Sequence, residues 1–153
     1  MKAFRFRLER VLQLRLQIEE EKRRELSIML FDLRQLEAKL HSLQNDLDSC
    51  KKEMSRDLEQ EDLSIARIEV FASYIKRMMS AIDAQRELIS ELCRKIEAKK
   101  NELLEAIKER KAMESVKSKR LAEYHKEYAR AEMKFLDEVA SSARMMPIQW
   151  EGY

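Results

Sequence analysis

Between Leu26 and Met54 the chain reads LSIMLFDLRQLEAKLHSLQNDLDSCKKEM. Leu26, Met29, Leu33, Leu36, Leu40, Leu43, Leu47, Cys50 and Met54 recur in alternating steps of three and four. That spacing is an a/d coiled-coil seam, and it is unbroken over four heptads. Upstream, Leu8, Val11, Leu12 and Ile18 extend the apolar face. The frame would place Arg15, Glu19 and Lys22 in the seam, so the phase is expected to slip there and tight pairing to end.

A second seam runs through Ile68, Phe71, Ile75, Met78, Ile82, Gln85, Ile89, Leu92, Ile96, Lys99, Leu103 and Ala106. It then loses phase and resumes as Leu121, Tyr124, Tyr128, Ala131 and Phe135, a spacing that reads as a stutter. Between the two seams, residues 55–64 lack heptad continuity and carry Asp57, Glu59, Glu61 and Asp62. Asp62 and Ser64 are both suitable N-caps. A reversal is therefore expected over residues 57–64, with one continuous helix as the alternative.

The expected fold is all-α: a long two-helix antiparallel coiled-coil hairpin over residues 1–146. Helix A covers about 4–56 and helix B about 65–142, followed by a frayed tail at 147–153 beginning at Pro147. In this register residue i faces roughly residue 120 − i, and residue 4 meets residue 116. The last 25 or so residues of helix B then lack a partner within the chain. They carry Tyr124, Tyr128 and Phe135, an apolar stripe that suggests a docking surface.

Composition supports this reading. The chain has 153 residues, one Gly and one Pro, and both breakers lie in its last seven positions. Sheet folds need turn residues, and phosphate-cradling loops need glycine, so both are excluded. Charged residues make up 39%, yet the net charge is only +2, which gives no general case for nucleic-acid or membrane binding. Charge is nonetheless segregated. Residues 1–24 hold eight basic and four acidic side chains, and residues 108–134 hold nine and five. A hairpin brings these two basic stretches to one end and leaves the turn acidic, which implies different partners at the two ends.

Chemistry is sparse. Cys50 and Cys93 are expected as buried, reduced thiols, and neither follows metal-ligand spacing with His41 or His125. No apolar run is long enough to span a membrane, and the first residues lack a signal-peptide core, so a cytoplasmic protein is expected. Carboxylates are interleaved with Lys and Arg at helical surface spacing. A helix pair offers no water-excluding pocket for acid–base work, so no enzyme, cofactor or metal is expected. Residues 4–16 are basic and amphipathic, which leaves a membrane-surface or nucleic-acid role as an alternative.

Three patches resemble the flagellar export protein family FliJ. The opening Phe4-Arg-Phe-Arg-Leu-Glu-Arg-Val-Leu-Gln-Leu-Arg15, with the charged run Glu19 to Glu25, is similar to the family's start. Phe71 to Gln85 resembles its aromatic-rich entry to the second helix. Glu132-Met-Lys-Phe-Leu-Asp-Glu-Val-Ala140 resembles its Lys-x-Leu-Asp-Glu-x-Ala signature.

The resemblance implies a coiled coil similar to the central stalk of rotary ATPases. It also implies a non-enzymatic part of the bacterial flagellar type III export apparatus, serving flagellum biogenesis and motility. The implied partners are the hexameric export ATPase FliI, whose ring assembly and activity it would promote, the export gate protein FlhA, and export chaperones. The implied place is the cytoplasm, peripheral to the inner membrane at the flagellar basal body.

By the same resemblance, the gate-contacting face falls on Tyr74, Met78, Ala81 and Gln85. For Gln85 in the seam, register specification is the alternative role. By analogy with rotary stalks, the end that holds both chain termini would enter the ATPase ring. Its candidates are Phe4, Arg5, Phe6, Arg7, Arg10, Arg15, Lys117, Lys119, Arg120, Tyr124 and Tyr128. The alternatives are an equivalent stalk of a virulence-type secretion system, or a passive coiled-coil adaptor or homodimer.

Overall fold

In the computed structural model, which describes residues 3–60 and 64–144, the chain forms two long helices and, among those residues, no strand. α1 spans Glu9–Glu59 and α2 spans Ile65–Arg144. The two helices pack against each other in antiparallel pairing. Contacts gather the chain into two units. One unit joins Met1–Gln17 with Ile107–Tyr153, and the other is Ile18–Ala106.

In the Ile18–Ala106 unit, α2 begins six residues after α1 ends. α1 runs on to Glu59, past the end expected near residue 56, because residues 57–59 contain no breaker. The side chain of Ser64 caps α2 by accepting from the Arg67 backbone N–H at 3.3 Å. Asp62, the other candidate cap, lies outside the described residues, as does the tail at 147–153. The ion pairs Asp57–Arg67, Glu25–Lys99 and Lys22–Glu102 set residue i opposite about 124 − i. The register is therefore four residues beyond the expected one, as the longer α1 requires.

The core of this unit is a thin seam. Leu47, Cys50, Ile82, Ile96 and Ala106 are its buried apolar members. Cys93, expected to be buried, is exposed. Leu92 and Ile96 hold the seam positions, and one residue on from Leu92 the helix has turned about 100° toward solvent.

The expected slip on α1 does not occur. Leu12, Arg15, Glu19, Lys22 and Leu26 keep the seam frame: Leu12 and Glu19 are buried, and the other three half-buried. On α2 the half-buried Arg110, Met113 and Lys117 follow Ala106 in the same frame, and its next position, Arg120, is exposed. Long cationic side chains lay their methylene stems along the seam and present the charge at its edge. A count of apolar letters therefore loses a phase that the helix keeps.

In the unit of the chain ends, α1 starts at Glu9 and not at residue 4. Its first turn is closed by Glu9 N–H donating to the Phe6 carbonyl at 3.2 Å. Residues 3–6 are non-helical. They contain none of Ser, Thr, Asp or Asn to cap an earlier start. Phe4 and Phe6 are half-buried while Arg5 and Arg7 are exposed, the period-two alternation of an extended segment. An extended chain advances about 3.3 Å per residue against 1.5 Å in a helix. Phe4 thereby reaches Tyr124 instead of the expected residue 116, with ring centroids 5.6 Å apart.

Candidate functional site

The unit of the chain ends carries an aromatic line with a cationic border. Tyr124 stands between Phe4 and Tyr128, its ring 5.6 Å from the first and 6.3 Å from the second. Beside the line, Lys117 places its ammonium 6.0 Å from the Phe6 ring and 2.8 Å from a Glu9 carboxylate oxygen. Arg15 meets Glu109 at 2.5 Å.

These contacts sort the ring-binding candidates. Arg15 and Lys117 are already paired within the unit, and Phe4, Phe6 and Tyr124 are half-buried. Arg5, Arg7, Arg10, Lys119, Arg120 and Tyr128 are exposed. Beyond Tyr124, every residue from His125 to Ser142 is exposed, including Tyr128, Met133, Phe135, Leu136 and Val139.

The Ile18–Ala106 unit carries the second candidate surface, on α2. Tyr74 is exposed and borders an open groove of about 390 Å³ with Val70, Phe71, Ser49, Cys50 and Glu53. Met78 and Ala81 are half-buried. Gln85 is buried at 3% exposure, and its amide donates to the Leu36 carbonyl at 2.9 Å. A group so enclosed cannot meet a partner protein. It fastens α2 to α1, so the four positions do not form one accessible stripe.

An ionic layer that the sequence did not single out as a site lies in the same unit. Lys99 bridges Glu25 at 2.7 Å and Glu102 at 2.9 Å, and Lys22 adds a contact to Glu102 at 2.8 Å. Hydrogen bonds from Lys22 and Lys99 hold the Glu102 carboxyl down to about 2. The hydrogen bond from Lys99 lowers Glu25, and the two carboxylates raise Lys99. Such a layer sets which residues face one another, as polar seam positions do in coiled coils. Its signal was present in Lys22 and Lys99, both at seam positions of the heptad frame.

Among the described residues no group of three or more His, Cys, Asp or Glu could hold a metal ion. Among the same residues no helix is long and apolar enough to cross a membrane. The model of the Flagellar FliJ protein family matches residues 4–145, nearly the whole chain. The chain belongs to the FliJ family.

FliJ-family membership makes it a type III secretion stalk protein, of a family that is non-enzymatic. No curated protein matches the sequence. Among solved structures, this FliJ-family chain is similar to one described as a YscO homologue from Chlamydia trachomatis. The TM-score is 0.55 at 24% identity, over 93% of this chain and 96% of that one. At that identity the likeness concerns the fold.

Proposed function

We propose that this chain is the stalk of a flagellar type III export ATPase, and that the unit of the chain ends enters the hexameric ring of FliI. The observation that carries this is the aromatic line Phe4–Tyr124–Tyr128 beside the exposed cations Arg5, Arg7, Arg10, Lys119 and Arg120. Such a surface suits an acidic channel wall with apolar footholds. A single helix pair cannot contact six equivalent subunits alike. Its binding therefore biases them into different states, promotes ring assembly and links nucleotide turnover to export.

The export gate FlhA would be met at Tyr74, with Met78 and Ala81 beside it, and export chaperones elsewhere on the exposed helix faces. The protein would work in the cytoplasm at the basal body, peripheral to the inner membrane. The test measures the turnover of the cognate ATPase with and without the chain, and its oligomer size by light scattering. Higher turnover with hexamer formation is expected. With both proteins folded, no binding and no change in rate would leave a passive adaptor.

A second reading follows from the likeness to a YscO homologue, which favours the equivalent stalk of a virulence-type system. Binding to the ATPase of that system but not to the flagellar one would select it.

A further inference from the structure

We propose that the uncovered face of α2 beyond Tyr124 pairs antiparallel with the same face of a second copy of this chain, within the unit of the chain ends. The face is coherent. Tyr128 is 46% exposed, Phe135 63% and Val139 50%. At 100° per residue their directions lie within about 20° of one line. Tyr124 and Ala131 stand on its edge at heptad spacing.

The flanks say what covers it. One flank of the stripe carries Glu127 and Lys134, the other His125 and Glu132, and all four are exposed. In an antiparallel helix pair each flank faces the same flank of its partner. A twofold axis near residues 129 and 130 then sets Glu127 against Lys134 of the second copy, and His125 against Glu132 of the second copy. Each pair occurs twice by symmetry. The same axis layers Tyr128 on Ala131 and Tyr124 on Phe135 of the second copy, large against small at the centre. Phe4, already on Tyr124, closes each end of the overlap.

A parallel, in-register pair is disfavoured by the same side chains. It brings Glu127 against Glu132 of the second copy on both sides, two like-charge contacts in place of two attractive ones. The charge pattern on this segment therefore selects both the partner and its direction. Tyr124 and Tyr128 would serve the dimer and the ATPase ring alike, so the two states exclude one another, and the dimer is a reserve form of the stalk.

Sedimentation velocity of the full chain over a wide concentration range tests this. The wild type is expected to shift from monomer toward dimer mass as concentration rises. Phe135→Glu is expected to hold it at monomer mass with helix content unchanged. Glu127→Lys and Lys134→Glu, made singly, are each expected to weaken dimerisation about tenfold or more. The double variant, with the charges exchanged, is expected to recover it. A wild type that stays monomeric at all concentrations would overturn the proposal. So would a dimer indifferent to the charge exchange, or a monomer whose Phe135→Glu variant loses only ATPase binding, since that outcome gives the face to the ATPase.

Discussion

The buried amide of Gln85 reaches across the helix pair and donates to the main-chain carbonyl of Leu36 at 2.9 Å. Gln85 sits in the seam between Ile82 and Ile89, at a position where coiled coils ordinarily place an aliphatic side chain. Its polar end is satisfied by the Leu36 carbonyl in the observed register. Gln85→Ala removes both packing and the bond and is expected to cost about 1–3 kcal/mol in urea unfolding. Gln85→Leu is expected to recover that stability but relax the register. Spin labels at Asp48 and Lys76 would report this, as one narrow distance in the wild type and a broadened distribution in Gln85→Leu.

The ionic layer around Lys99 predicts a pH window. Glu102 titrates near 2 instead of the usual 4.5, and Glu25 is also lowered. The stability they contribute is full above 4.5 and is lost as pH falls toward 2. Lys99 is shifted the other way, above its usual 10.5. Its contribution is full below that value and is lost as pH rises beyond it. Tm should therefore be level between about 5 and 10 and fall on both sides. Lys99→Met leaves Glu102 with Lys22 alone and deprives Glu25 of its strongest partner, so its acid limb should be shallower. A variant with an unchanged acid limb would show that the layer does not couple protons to folding.

The sequence disclosed the two helices because the stretch from Leu26 to Met54 has one periodicity and no breaker. It disclosed less wherever polar atoms hold structural positions. Arg15, Glu19 and Lys22 read as a lost phase in the sequence, because hydrophobicity alone does not register a charged side chain that packs along a seam. The register moved by four because residues 57–59 carry acidic charge that looks like a turn yet is compatible with helix. The Phe4–Arg5–Phe6–Arg7 alternation is the signal of an extended segment, but the apolar spacing that follows reads as one helix with it. The four proposed gate positions rest on resemblance, which carries no information on side-chain direction, and Gln85 is buried against the Leu36 carbonyl.

That inward position separates two of the proposed gate residues. Tyr74 is exposed beside its groove, so Tyr74→Ala should weaken binding to the gate's cytoplasmic domain while leaving Tm nearly unchanged. A surface aromatic at the centre of an interface is typically worth about 2 kcal/mol or more, which is some thirtyfold in affinity. Gln85→Ala should alter gate binding only as far as it unfolds the helix pair. Calorimetric titration below the Tm of each variant distinguishes the two. Loss of binding in Gln85→Ala with an unchanged Tm would return that residue to the contact surface.

The cations of the chain-end unit divide in the same way. Arg5, Arg7 and Arg10 are exposed, whereas Arg15 is held by Glu109 and Lys117 by Glu9. Reversing the first three together should leave the melting curve close to wild type, because exposed charges away from special contacts contribute about 0.5 kcal/mol or less each. It should lower the association rate with the ATPase and flatten the salt dependence of binding, since steering charges act mainly on encounter. Reversing Arg15 and Lys117 should instead lower Tm, because each would face a carboxylate that its own chain supplies. Stopped-flow association at two salt concentrations, with a melt of each variant, reads both effects. If the triple reversal bound at the wild-type rate, the ring would not be reading these cations, and the aromatic line of Phe4, Tyr124 and Tyr128 would have to carry the contact alone.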